Sequence, residues 1–371
     1  MEKGVWAYPW DLLAEPDSAR RHADMGLDYV CVAVRYHAVR ALTYRPDVPR
    51  ITTQPMGRSW LDEAASLTGR YAASGVALDA WIVCFHEDPA PEGQRVLNCL
   101  GDEYPWASCP RHPEARERIL SFIERAAMTG AFRTLELEAF GFYGLTHGSE
   151  HDKVQLPAQA QLVETLSLCC CPRCRAATGA TSEDLAQLVK RMLLGSPAER
   201  VSQSNAPVSR GSDDLARILA AEGAARAAYC DELSAEVMER VRGRTRIRLQ
   251  VSPDNRVFGA VRQVPAPNAI LPDELVVPVW SSDPAEVRDA VRRTLAELQG
   301  CDAESLQRKQ QRSPGVIAGF AAIPPHCTME KVELAVRTVL LAGPDGLCAY
   351  HDGMMHPEAR RAYAEALAAQ S

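Results

Sequence analysis

The chain has 371 residues, 46% of them apolar and 24% charged, a globular balance rather than a disordered one. Its formal charge of −7 argues against a broad nucleic-acid-binding face, and no apolar run reaches the roughly 18 residues that span a bilayer. These counts exclude a membrane-spanning protein, a secreted disulfide scaffold and a fibrous chain.

The segment Met1 to Trp10 leads straight into a strand-like run, with no basic region followed by an apolar one. A cytoplasmic location is therefore expected, in which the 12 cysteines are reduced or metal-bound. Eight short β-branched or aromatic runs then read as strands: Val5–Trp10, Tyr29–His37, Ala77–His86, Thr134–Phe140, Arg246–Ser252, Leu275–Ser281, Val316–Ile323 and Gly346–His351. Helical periodicity follows each of them. Pro16 opens the first helix and Gly26 closes it; Ser59 to Ser74 stops at Gly75, and Pro113 to Thr129 stops at Gly130. Asp283, Pro284 and Glu286 form an N-cap, an N1 proline and a capping-box partner. Thr328 caps a helix ending at Gly343, and Pro357 opens the last one.

Eight βα units in alternation predict a single (β/α)8 TIM barrel over residues 1–371. An open doubly wound sheet is the alternative, weakened because no G-x-G-x-x-G follows the first strand. The stretch Glu87 to Arg111 reads as an irregular loop. The connection after strand four, residues 141–245, reads as an insertion or subdomain over the barrel mouth, with a polar tract at Gly195–Asp213. In a barrel, chemistry sits at the C-terminal strand ends and the loops behind them.

Strand four reads Thr134-Leu-Glu-Leu-Glu-Ala-Phe140, so Glu136 and Glu138 share one face and the leucines the other. With the leucines against helices, both carboxylates point inward, and their mutual repulsion raises one pKa. That suits a general acid, Glu138, tuned by Glu136; a structural pairing with Arg248 or another lining cation is the alternative. His37, His86 and His351 end strands, and His147 and His151 follow strand four. Trp10 and Trp280 end strands one and six, Tyr36 and Tyr350 lie near the ends of two and eight, and Trp106 and Tyr143 sit in the long loops. Imidazoles and flat rings at one barrel end suit hydroxyl recognition and sugar stacking, and ordinary packing explains any one ring alone.

Cys169-Cys-Cys-Pro-Arg-Cys174 offers Cys169, Cys171 and Cys174 at metal-binding spacing. A structural zinc there needs a fourth ligand, from Cys99, Cys109 or a histidine. Reduced thiols packing a loop are the other reading.

His37-Ala-Val-Arg40, Gly101-Asp-Glu-Tyr104 with Cys109-Pro110, Glu136-Leu-Glu138 with the Gly-x-x-His-Gly-x-x-x-His run to His151, and Leu168-Cys-Cys-Cys-Pro-Arg-Cys174 together resemble a bacterial family of glycoside-hydrolase-like TIM barrels. The resemblance spreads over most of the chain and implies the barrel and a small sugar or glycoside as substrate. Two features depart from such enzymes. Strand seven ends Phe320-Ala-Ala-Ile-Pro-Pro325 without the carboxylate of common retaining barrels. Thr134 stands where the first aspartate of a chitinase-like D-x-D-x-E would be. The second carboxylate is thus open among Glu87, Asp254, Asp283 and Asp352.

The leading expectation is cleavage of a glycosidic bond of a small sugar conjugate by carboxylate acid/base catalysis. Trp10, His37, Arg40, His86, Tyr143, His147, His151, Trp280 and His351 would hold the sugar, with no cofactor required for catalysis and neither nucleic acid nor membrane as partner. The alternatives are a metal-dependent sugar isomerase, epimerase or lyase, with His37, His86, Glu138 and His147 on one cation, and a non-catalytic sugar-binding barrel.

Overall fold

The computed structural model describes residues 1–36, 39–44, 49–54, 59–87, 89–145, 160–178, 181–194, 210–253, 262–266, 269–279, 283–299, 313–323 and 329–369. Eight parallel strands are present: β1 (Glu2–Ala7), β2 (Tyr29–Arg35), β3 (Ala77–Val83), β4 (Thr134–Glu138), β5 (Arg246–Ser252), β6 (Glu274–Val279), β7 (Gly315–Ala321) and β8 (Gly346–Tyr350). Each pairs with the next, and β8 pairs with β1, so the sheet closes into a (β/α)8 barrel. A two-residue strand, Arg262–Gln263, extends the sheet beside β5.

All eight predicted strands are present, most of them shorter at the C-terminal end. The largest difference is in β1, which spans Glu2–Ala7. Pro9 is pre-set for a helix, so Trp10 lies in the first turn of a short helix, Pro9–Ala14, rather than at a strand end. The helix stops at Gly26, Gly75 and Gly130 fall where expected, each glycine in the left-handed conformation. The Asp283 carboxylate accepts from the Ala285 amide at 2.8 Å, as an N-cap should. Thr328 lies outside the described residues.

Two hairpins were not anticipated. One, Val39–Tyr44 with Pro49–Gln54, follows β2. The other pairs Arg95–Leu97 with Glu103–Ser108 inside the stretch read as irregular. Its turn is built by Asn98, whose side-chain oxygen accepts from the amides of Leu100 (2.9 Å) and Asp102 (3.0 Å), while Gly101 supplies φ +93°.

Strand side chains alternate as the pleat requires. Val30, Val32, Leu78, Ile82, Leu135, Leu137, Leu249 and Ala318 face the outer helices in the main apolar core. Trp6, Tyr29, Cys31, Trp81, Val276 and Cys348 fill the barrel. Small residues make that filling fit: a Cβ on Gly319 would lie 2.6 Å from the Trp6 ring, and one on Gly4 would lie 2.2 Å from Tyr29.

A charged column crosses this interior. Arg248 is fully buried, donates to Glu274 at 2.7 Å, and lies 3.2 Å from Asp79 and 3.3 Å from Glu136. Arg133 holds Asp79 from below at 2.8 Å. Arg248→Met would leave three carboxylates facing a low-dielectric core. The expected loss is about 3–5 kcal/mol, measured by urea unfolding, and a loss below about 1 kcal/mol would show that the column is not held by this cation.

Candidate active site

Glu136 and Glu138 both point into the barrel, while Leu135 and Leu137 pack outward. Their environments differ. Glu136 is fully buried and saturated. Its Oε1 accepts from Trp6 Nε1 and Gln250 Nε2, each at 2.7 Å, and its Oε2 faces Arg248 at 3.3 Å and Cys31 Sγ at 3.5 Å. Glu138, one layer nearer the mouth and 8% exposed, accepts from Trp81 Nε1 at 2.6 Å. Burial pushes its carboxyl pKa up to about 8; the Trp81 hydrogen bond opposes this and the charge of Glu136 adds to it. The pair is thus asymmetric: a carboxylate saturated with hydrogen-bond partners below, and above it a carboxyl whose pKa burial raises. Ala139, immediately after Glu138, has φ +48°, a left-handed conformation rare for a residue with a Cβ.

Rings surround the carboxyl. Trp6, Trp81 and Tyr350 lie with centroids 6.1–6.2 Å apart, and Tyr36 meets Trp81 edge-on at 4.6 Å. Tyr8 is sandwiched between Trp10 at 4.5 Å and His351 at 3.9 Å. Burial drives the His351 pKa down to about 3, so the imidazole is neutral. Neither of its ring nitrogens nor Trp10 Nε1 has a hydrogen-bond partner among the described residues. His86 stacks on Tyr143 at 4.5 Å, 12° from parallel. His37, His147, His151 and Trp280 lie outside the described residues. Arg40 lies in the hairpin strand Val39–Tyr44, its side chain outside the described set.

The open question of a second carboxylate narrows. Glu87 is tied to Arg35, Arg118 and Ser108, whose contacts hold its pKa below the usual value despite burial. Asp352 lies against Arg21, His22 and Arg360, and despite burial the Arg21 guanidinium and the His22 contact hold its pKa well below the usual value. Asp283 is a helix cap. Asp254 lies outside the described residues.

The indole donors Trp6 and Trp81, and the cluster mate Gln250, were missed by sequence reasoning. Strand parity is the signal that finds them: Trp81 is paired in register with Glu136, and its side chain shares the inward face.

The cysteines form a second centre. Cys109, at the end of the loop hairpin, joins Cys169, Cys171 and Cys174, all four sulfurs lying within 4.8 Å of one another. Cys109 Sγ is 3.6 Å from Cys174 and 3.8 Å from Cys171. Four thiolates around one tetrahedral zinc at about 2.3 Å sit about 3.8 Å apart, whereas a disulfide needs about 2 Å. Hydrogen bonds from the other three thiols lower the Cys171 pKa, while contacts within the same cluster raise those of Cys109 and Cys174, so the four share their protons unequally. This cluster can hold a metal. Around it, Tyr104 Oη donates to Leu166 O at 2.7 Å and Trp106 Nε1 to Gly144 O at 3.1 Å, lacing the hairpin to the segment after β4.

No protein-family model matches the sequence, and no curated protein resembles it significantly. Among solved structures, the chain is similar in fold to a GH5 subfamily 18 enzyme from Bifidobacterium longum subsp. longum in complex with Manβ1-4GlcNAc. The two are 12% identical over 100% of this chain and 78% of that one, with a TM-score of 0.47. It is also similar to a D-psicose 3-epimerase determined in the presence of D-fructose (10% identity, 100% and 98% coverage, TM-score 0.40). A third is a glycoside hydrolase family 5 enzyme from Prevotella bryantii B14 in complex with a xyloglucan tetradecasaccharide (10%, 95% and 86%, 0.42). No described helix is long and apolar enough to cross a membrane.

Proposed function

We propose that the protein cleaves a glycosidic bond of a small sugar conjugate, with Glu138 as general acid and Glu136 as the fixed charge that helps keep its proton in place. The observation that carries this reading is the asymmetry of the pair at the barrel mouth: one carboxylate saturated by four partners, the other buried beneath aromatic rings with its pKa at about 8. A leaving alkoxide needs a proton as the bond breaks, and an acid that stays protonated near neutral pH supplies it. Trp10, His86, Tyr143 and His351 are proposed to contact the sugar, the neutral His351 imidazole offering one donor and one acceptor to hydroxyls. The test is a panel of methyl glycosides of glucose, galactose, mannose and N-acetylglucosamine, whose alkoxide leaving group needs the proton, assayed with the native protein and Glu138→Gln. Release of free sugar by the native protein alone supports the reading; equal release by both removes Glu138 from the mechanism.

The four-thiol cluster is proposed to hold a structural zinc. The sulfur separations fit tetrahedral ligation, and the set is closed, with no position left for substrate.

A further inference from the structure

Three phenols meet beside Glu138, one from each of three adjacent strand ends. Tyr8 follows β1, Tyr36 follows β2 and Tyr350 ends β8. The hydroxyls of Tyr8 and Tyr350 are 3.2 Å apart, and the Tyr36 hydroxyl hydrogen-bonds both. Tyr36 and Tyr350 are half-buried, whereas Tyr8 is 2% exposed. Both outer rings pack against Trp81, the indole that donates to Glu138, so the phenols and the carboxyl share one wall. Tyr36 and Tyr350 also lie close enough to Glu138 to feel its charge once it ionises.

Phenylalanine would fill the same volume without desolvating three hydroxyls, so the cluster is costly as mere packing. Burial raises all three phenols above their ordinary pKa, so at neutral pH they act as neutral donors and acceptors. Such groups match sugar hydroxyls, which also donate and accept. The described cation at the end of β2, Arg35, is engaged by Glu87 and by the carbonyls of Val83 and Cys84.

We propose that Tyr36 and Tyr350 bind hydroxyls of the sugar ring presented to Glu138, and that Tyr8 is the positioning residue for both. The proposal rests on the reading of Glu138 as proton donor. Its test uses whichever methyl glycoside of the panel the native protein cleaves, together with its monodeoxy analogues. Tyr36→Phe and Tyr350→Phe should each lower kcat/KM about tenfold with the melting temperature held. One monodeoxy analogue should lose a similar factor with the native protein and nothing further with the matching variant. Tyr8→Phe should have a smaller effect, largely absent in a Tyr350→Phe background, which a purely structural role would not produce.

Activity within twofold of native in both phenylalanine variants, or the same deoxy penalty in native and variant proteins, overturns the proposal. Loss of activity in Glu138→Gln alongside those results confines the failure to the phenols. Full activity in Glu138→Gln, or no cleavage of any panel glycoside, overturns the proton-donor reading and with it this one.

Discussion

Glu138→Gln lowers turnover by roughly 10²–10⁴-fold, the usual worth of a positioned acid, while sugar binding survives. The amide keeps the shape and can still accept from Trp81, but it has no proton of the required acidity. In the native protein, kcat/KM falls as pH rises through about 8, because the active form is the protonated one. Glu136→Gln removes the like charge, moves this alkaline limb to lower pH and costs less activity. The same shift has a consequence for stability. The folded pKa of about 8 lies above the ordinary 4.5, so the folded state retains a proton that the unfolded chain releases. Stability associated with Glu138 is complete below about pH 4.5 and is lost as pH rises to about 8, at roughly 1.4 kcal/mol per pH unit. Glutamine does not ionise, so Glu138→Gln gains on the native protein across that window and is the more stable of the two at pH 9. A variant less stable at pH 9, or native kcat/KM that is flat from pH 6 to 10, contradicts this account.

Removing the metal proposed for Cys109, Cys169, Cys171 and Cys174 is expected to have a large effect on stability. A ligand present at a thousand times its dissociation constant contributes about 4 kcal/mol. In a chain of this length, that corresponds to a fall in Tm of roughly 5–10 °C. Metal analysis of the purified protein should give one zinc per chain, and chelation or Cys109→Ser should produce that fall. Below the new melting temperature, turnover should persist, because the thiols hold the loop hairpin to the segment after β4 and take no part in proton transfer. Two results would count against the structural role: an unchanged Tm on complete zinc removal, or a Cys171→Ser protein that melts normally but is inactive.

What the sequence revealed of this molecule followed from periodicity. The eight strand runs, their order and the inward placement of Glu136 and Glu138 come from alternation and cap residues, which act locally. Trp10 was misplaced because Pro9 can end a strand or begin a helix, and the short helix won. The Asn98 turn was missed because an asparagine side chain folding onto its own backbone looks, in sequence, like any polar loop. The partners of the carboxylates were harder still. Trp6, Cys31, Trp81, Arg248 and Gln250 lie on four other strands, and only the register of the closed barrel brings them to one layer. Cys109 was one candidate among several for the fourth thiol, since 60 residues of chain separate it from Cys169 and only the fold joins them. The phenols of Tyr8, Tyr36 and Tyr350 converge for the same reason.

The central claim is that Glu138 holds a proton at neutral pH at the barrel mouth, and a carbon-13 carboxyl NMR titration of the glutamate-labelled protein tests it without any substrate. The account predicts one glutamate side-chain resonance that titrates with a midpoint near pH 8, vanishes in Glu138→Gln and moves to lower pH in Glu136→Gln. If the resonance missing from Glu138→Gln instead titrates near pH 4.5, Glu138 is an ordinary carboxylate and cannot be the proton donor.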